Sequence, residues 1–294
     1  MLYIIITIFF LIWAIFVIRK GHLSWHSIFT IYVVALYLTD YVDEVFDYWL
    51  NFFDLPAHLL HNPLADQYLG LTLSDGVIFP LIAIVFCYYS TTYKRPWLIS
   101  ILFAPTMAII EFILTKQGYM VLHHWSHWYT FAITFVGFRI LAHFTDRFIN
   151  YSPPISYRFW LVGVMYACYA WPGVLYWGFG HLAQYRLNIF QNYNADDRFT
   201  ELVIMFLPVY CVAYFAPKIR PQYKLFLFIS LGFCWVPFAM WMYGKGMFIY
   251  YQWNHVWTFV RYLAPCFLMY WIDRWELNYL SNQGNQNKNL SNQN

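Results

Sequence analysis

The sequence predicts an all-α integral membrane protein of about nine transmembrane helices, arranged as one leading helix followed by two parallel four-helix repeats. Three observations carry that expectation. Hydrophobic residues make up 61% of the chain and charged residues only 11%, where a soluble domain carries about 25% charged residues. Apolar runs recur that reach the roughly 18 residues a helix needs to cross a bilayer. Finally, Gly118 to Phe131 (GYMVLHHWSHWYTF) and Gly246 to Phe259 (GMFIYYQWNHVWTF) share Gly, Trp, His, Thr and Phe at a displacement of 128 residues. A fixed displacement of this kind marks a tandem duplication, and Tyr48-Trp49 matches Tyr176-Trp177 at the same offset.

The elements follow in order. Leu2 to Ile18 is a continuous apolar run with Arg19-Lys20 after it. A cleavable leader has its positive charge before the run and small residues after it, so this run reads as an uncleaved helix occupying residues 1–22. The first repeat, 23–152, places spans near 27–50, 73–91, 97–115 and 128–145. The second, 153–280, places them near 158–181, 200–216, 222–243 and 255–272. Pro96 and Pro221 stand where proline can open a helix, and Pro153-Pro154 interrupts the chain between the repeats. Gly118 and Gly246 read as helix ends. The polar, low-complexity tail 281–294 holds too little apolar area to order itself.

Lys and Arg fix the expected orientation. Alternation from Arg19-Lys20 puts eleven basic residues on that side and four on the other. The positive-inside rule then gives an outer N-terminus and an inner C-terminus. Four spans per repeat is an even number, so both repeats enter the membrane in the same sense and should be related by an axis along its normal.

The chemistry is concentrated in the first repeat. Asp40, Asp43, Glu44 and Asp47 are spaced i, i+3, i+4, i+7, which on an α-helix places four carboxylates on one stripe. Carboxylates at membrane depth are expensive and mark candidate functional sites; here they would attract a cation or small solute, with Glu111 as gate or proton carrier. His123, His124 and His127 (HHWSH) offer imidazoles at helical spacing. With Glu111 or Asp75 they would make a mixed site for a divalent metal, Zn, Mn or Fe. At the 128-residue offset the acids become Cys168, Trp171, Pro172 and Leu175, Glu111 becomes Ala239, and only His255 persists, matching His127. Trp125/Trp253 and His127/His255 therefore read as parts of the fold. Arg139 and Arg261 lie within spans and are the expected partners of any carboxylate that serves only structure.

Other classes are excluded or weakened. The five cysteines lie singly in apolar runs without a CxxC, which argues against a disulfide framework or zinc knuckle. There is no Walker A, no GxGxxG opening a helix and no GxSxG elbow. The histidines do not form desaturase-type boxes, and nothing points to nucleic acid. Expected partners are the lipid bilayer and a membrane-protein subunit or second copy.

Glu111, Gly118, Trp125 and the aromatic Thr-Phe span after them, with a short basic turn before the Glu-bearing helix, resemble the signature of a poorly characterised family. These are small multi-pass membrane proteins of spore-forming Firmicutes. The resemblance covers about 75–147 and, more weakly, 201–274. It implies a bacterial cytoplasmic membrane and supplies no activity. Three functional readings remain: transport or binding through an outward acidic pocket, a metal-dependent enzyme at the outer leaflet, and a non-catalytic scaffold.

Overall fold

The computed structural model describes residues 1–21, 23–150, 155–173, 182–191 and 193–291. The chain is mostly helical: α1 (Leu2–Arg19), α2 (Trp25–Asp43), α3 (Pro63–Leu71), α4 (Phe79–Tyr93), α5 (Pro96–Lys116), α6 (His127–Asn150), α7 (Tyr157–Gly173), α8 (Tyr193–Phe215), α9 (Lys224–Gly244) and α10 (His255–Ser291). Among the described residues five stretches are long and apolar enough to cross a membrane: Leu2–Arg19, Ala65–Tyr93, Pro96–Lys116, Ala195–Lys218 and Pro221–Gly244. The same test does not single out α2, α6, α7 or α10. In α2 and α6 the acids at 40–47 and the basic and acidic residues at 139–147 dilute the apolar run.

Local chemistry explains the boundaries. Lys94 adopts a left-handed conformation (φ 52°) that ends α4, and Pro96 opens α5. Pro221 instead starts a short 3-10 turn, Pro221–Tyr223, that feeds α9. Gly118 and Gly246, at φ 75° and 70°, follow α5 and α9. The next amide closes each helix, Tyr119 N–H onto Leu114 O (2.8 Å) and Met247 N–H onto Met242 O (2.9 Å). That is the six-to-one bond of a Schellman end, which requires a residue free to adopt positive φ.

Four short strands depart from an all-α expectation. β1 (Phe53–Asp54) pairs antiparallel with β2 (Val121–Leu122), and β3 (Ala183–Tyr185) with β4 (Phe248–Tyr250). Phe53 faces Leu122 in the first pair and Ala183 faces Tyr250 in the second. A second departure is α10, which continues to Ser291 through the stretch whose composition reads as an unordered tail. Its Asn and Ser are weak helix formers, but Gln and Lys are good ones, and no proline occurs after Pro265. The expected break at Pro153-Pro154 and the end of the 158–181 span lie outside the described residues.

Helices α5 and α6 pack together, as do α9 and α10, while α2 contacts α4 and α7. At the α2–α7 crossing a Cβ on Gly163 would lie 3.3 Å from Val33 O, so the two backbones nearly touch. Tyr3 on α1 is buried, and its hydroxyl donates to Tyr119 O (2.9 Å). Near the C-terminal part, Lys224 Nζ meets Asp273 Oδ2 at 3.0 Å and Tyr157 also donates to Asp273. Burial, then the Asp273 charge, pushes the Tyr157 hydroxyl above the ordinary tyrosine range.

The tightest approach is at Gly70, where a Cβ would fall 1.8 Å from the Leu55 carbonyl oxygen. Neither group can yield, since one is helix backbone and the other anchors the β1 loop. Gly70→Ala should therefore destabilise the fold by about 3 kcal/mol or more, read as a fall in the unfolding midpoint in detergent.

Candidate functional site

The residues around β1 and β2 form one polar end to the first-half bundle. Asp66, on α3, caps the loop before it. Its carboxylate accepts the backbone N–H groups of His58 (2.7 Å), Leu59 (2.8 Å) and Leu60 (2.9 Å). Asp196, on α8, does the same for Asn188 (2.7 Å), Ile189 (2.8 Å) and Phe190 (3.3 Å). Sequence reasoning missed both caps. The signal was present: Asn62-x-x-Ala65-Asp66 recurs as Asn192-x-x-Ala195-Asp196, displaced by 130 residues.

The expected acidic stripe is split. Helix α2 changes to π-helical winding over Glu44–Trp49, and a second π segment spans Thr72–Ile78 on the facing helix. The wider turn rotates Asp47 away from the α-helical register of Asp40 and Asp43. Asp47 Oδ1 accepts Gln67 Nε2 at 3.1 Å, and the same amide donates to Asp54 Oδ1 at 3.0 Å. Asp43 instead has carboxylates as neighbours: Asp75, Asp40 and Glu111. Asp75 is 0% exposed; its carboxyl lies against that of Asp43 and the Ser74 side chain, and neither oxygen meets a donor in full hydrogen-bond geometry. Asp40 is buried with Arg198, from the second half, as its electrostatic counterpart. The side chain of Glu44 lies outside the described residues.

The three candidate metal ligands are also separated. His123 Nε2 sits 2.8 Å from Asp54 Oδ2, whereas His127 Nδ1 sits 2.5 Å from Glu111 Oε1. His124 packs edge-on to Phe52. The β1–β2 pairing causes the division, because the amides of His123 and His124 both bind Phe52 O and hold the two rings over the loop. Among the described residues no group of three or more His, Cys, Asp or Glu is placed to hold a metal ion. The Zn, Mn or Fe site expected at His123, His124 and His127 is thus not assembled.

Glu111 is met by three side chains. Only 5% exposed, it accepts Thr130 Oγ1 and Trp125 Nε1 (3.4 Å) and meets His127. Trp125 Nε1 also donates to Thr130 Oγ1 at 2.7 Å, and Trp253 Nε1 to Thr258 Oγ1 at 2.9 Å. The Trp–Thr bond therefore occurs twice, but the carboxylate occurs once. Arg139 and Arg261, the expected partners of the stripe, lie elsewhere. Arg139 stacks on Trp97, 3.8 Å from the ring centre, and Arg261 pairs with Glu201 at 3.0 Å.

Asp43 and Glu111 line a cavity of about 270 Å³ whose other walls are almost wholly apolar. Tyr3 and Ile6 come from α1, Val34 and Leu38 from α2, Met107 and Ile110 from α5, and Thr130, Thr134 and Phe138 from α6. Trp125 stands at the same wall, packed by Phe46, Phe52 and Phe53. Such a chamber can hold an apolar body and meet one positive or hydrogen-donating group.

A mostly helical chain with five candidate membrane spans and one acid-lined apolar cavity is the class these observations define. Comparison with known proteins finds no matching family model, curated protein or solved structure.

Glu111→Ala would leave His127 without its carboxylate and remove an acceptor from Trp125 and Thr130. It should cost about 2 kcal/mol of stability, and Glu111→Gln, which keeps one acceptor oxygen, about half as much. Unfolding midpoints of the purified variants check the ranking.

Proposed function

We propose that this is a multi-pass membrane protein whose first half binds a cation or small cationic solute in the Asp43–Glu111 cavity. The observation that carries the reading is the unbalanced charge at that cavity. Asp43 borders it with the carboxyl groups of Asp75, Asp40 and Glu111 around it, and Asp75 behind it is fully buried against Asp43. In an apolar interior such groups must take up a proton or a positive ligand. On this reading the bundle has nine spans in two parallel halves of a bacterial cytoplasmic membrane. The cavity faces the side opposite the Arg19-Lys20 turn. The segment IFTIYVVALY below Asp40 is apolar, which favours a blind binding pocket over a through-going path.

Comparison of the halves supports the same reading. The hairpin registers, the Schellman ends, the loop-capping acids and the Trp–Thr bonds recur at displacements of 128 or 130 residues. Among the described residues the lining of the cavity does not recur. Its lining residues Met107, Met120, Ile133, Thr134 and Leu55 correspond to Trp235, Phe248, Arg261, Tyr262 and Tyr185, all of them larger and fully buried. One half is filled where the other is open.

A scaffold role accounts for Glu201–Arg261 and Lys224–Asp273, which are paired, but gives no reason for a cavity beside Asp43. The two readings give opposite results for Asp43→Asn. If Asp43 serves a ligand, neutralising it relieves like-charge repulsion. The ligand-free fold should gain about 1 kcal/mol, while affinity for butylammonium, measured by calorimetry in nanodiscs, falls at least tenfold. A variant that loses stability and binds butylammonium like the parent would sink the proposal.

A further inference from the structure

The cavity has walls suited to an alkyl chain and a route that does not pass through water. Leu38 (42% exposed) and Val42 (36%) on α2 line it and also reach the protein's lateral surface. So do Ile133 (39%) and Gly137 on α6. A Cβ built on Gly137 would meet nothing within 4 Å, so the gap beside it is open. Around this rim the surface is apolar, with Val136 and Ile140 exposed on α6 and Ile109 and Ile113 on α5, itself a candidate span. An opening bordered by such residues faces lipid rather than solvent.

We propose that the pocket takes its ligand sideways from the bilayer, through the gap between α2 and α6. The ligand would be a single-chain amphiphile with a protonated amine head, its head at Asp43 and Glu111 and its chain along α5 and α6. This deepens the cation-binding reading and rests on it. Lipid tails are as apolar as the cavity wall, so transfer of the chain from bilayer to pocket gains little by itself. Selectivity must therefore come from the head. An ammonium group leaving the interface is compensated by the two carboxylates, whereas an alcohol gains less and a carboxylate is repelled.

The test uses the full chain in phosphatidylcholine nanodiscs and a decylamine probe carrying a photoreactive diazirine near its tail. Labelled peptides are mapped by mass spectrometry. Labelling should fall on the lining of α5 and α6, and decylamine should compete at least tenfold better than decanol or decanoate. Gly137→Trp, which fills the gap, should cut labelling at least fivefold and lower decylamine affinity more than butylammonium affinity. Gly137→Leu, a smaller block on the same helix, should give an intermediate effect, and unfolding midpoints confirm that both variants are folded. If butylammonium binds but decylamine binds no better, or both blocks leave labelling unchanged, lateral entry is wrong and the acidic pocket stands. If decanol competes as well as decylamine, the amine head is wrong. If the parent and Asp43→Asn label alike and butylammonium does not bind, both readings fall.

Discussion

Every buried charge in so apolar a bundle needs a counter-charge, a set of donors or a proton, and the rest of the structure is arranged around how each acid meets that need. Asp66 and Asp196 are met by three backbone amides each and so hold their loops. Glu201 is met by Arg261, and Asp273 by Lys224 and Tyr157. Glu111 is met by His127, Thr130 and Trp125. Asp47 is met on one oxygen, and Asp75 on neither. Satisfied acids mark the parts that must be rigid. Among the described residues the least satisfied ones gather in one place, beside Asp43, the carboxylate of α2 that lines the cavity.

Much of the helical framework was legible because hydropathy along the chain reports it directly. Gly118 and Gly246 were recognisable as helix ends because a left-handed residue after a long apolar run has few other uses, and both are Schellman ends. The short strands were not legible. Two or three residues cannot display a period of two, and Phe53–Asp54 and Val121–Leu122 look like ordinary loop. Nor was the π winding, which no composition signals. It broke the stripe of Asp40, Asp43, Glu44 and Asp47 by turning Asp47 toward Gln67.

The histidines show a different limit. Helical spacing suggested that His123, His124 and His127 converge, but a helix begins only at His127, and β2 ends just before His123. Spacing carries geometry only within one element. Long-range partners were equally hidden: Arg198 reaches Asp40 from the other half, and Arg261, expected near the acids, lies against Glu201 instead. Asp66 and Asp196 could have been found, since Asn-x-x-Ala-Asp repeats at a 130-residue displacement, two residues longer than the main offset.

On the duplication reading, the filled half clarifies the open one. Position 111 holds Glu in the first half, and its counterpart 239 holds Ala; position 133 holds Ile, and its counterpart 261 holds Arg. The second half thus lacks the α5 acid and has an acid–base pair, Glu201 with Arg261, whose arginine stands at the counterpart of the cavity-lining Ile133. The Arg261 guanidinium is fully buried, donates to Tyr169 O at 2.9 Å, and lies among Tyr185, Tyr262 and Trp235. A core that can be packed shut is more stable than one with a void, and the larger, buried residues of the second half are consistent with that option. The first half keeps the void and surplus carboxylates together, although either could be removed alone: bulk would fill the one, and an arginine the other. That coincidence is what the proposed cation site rests on.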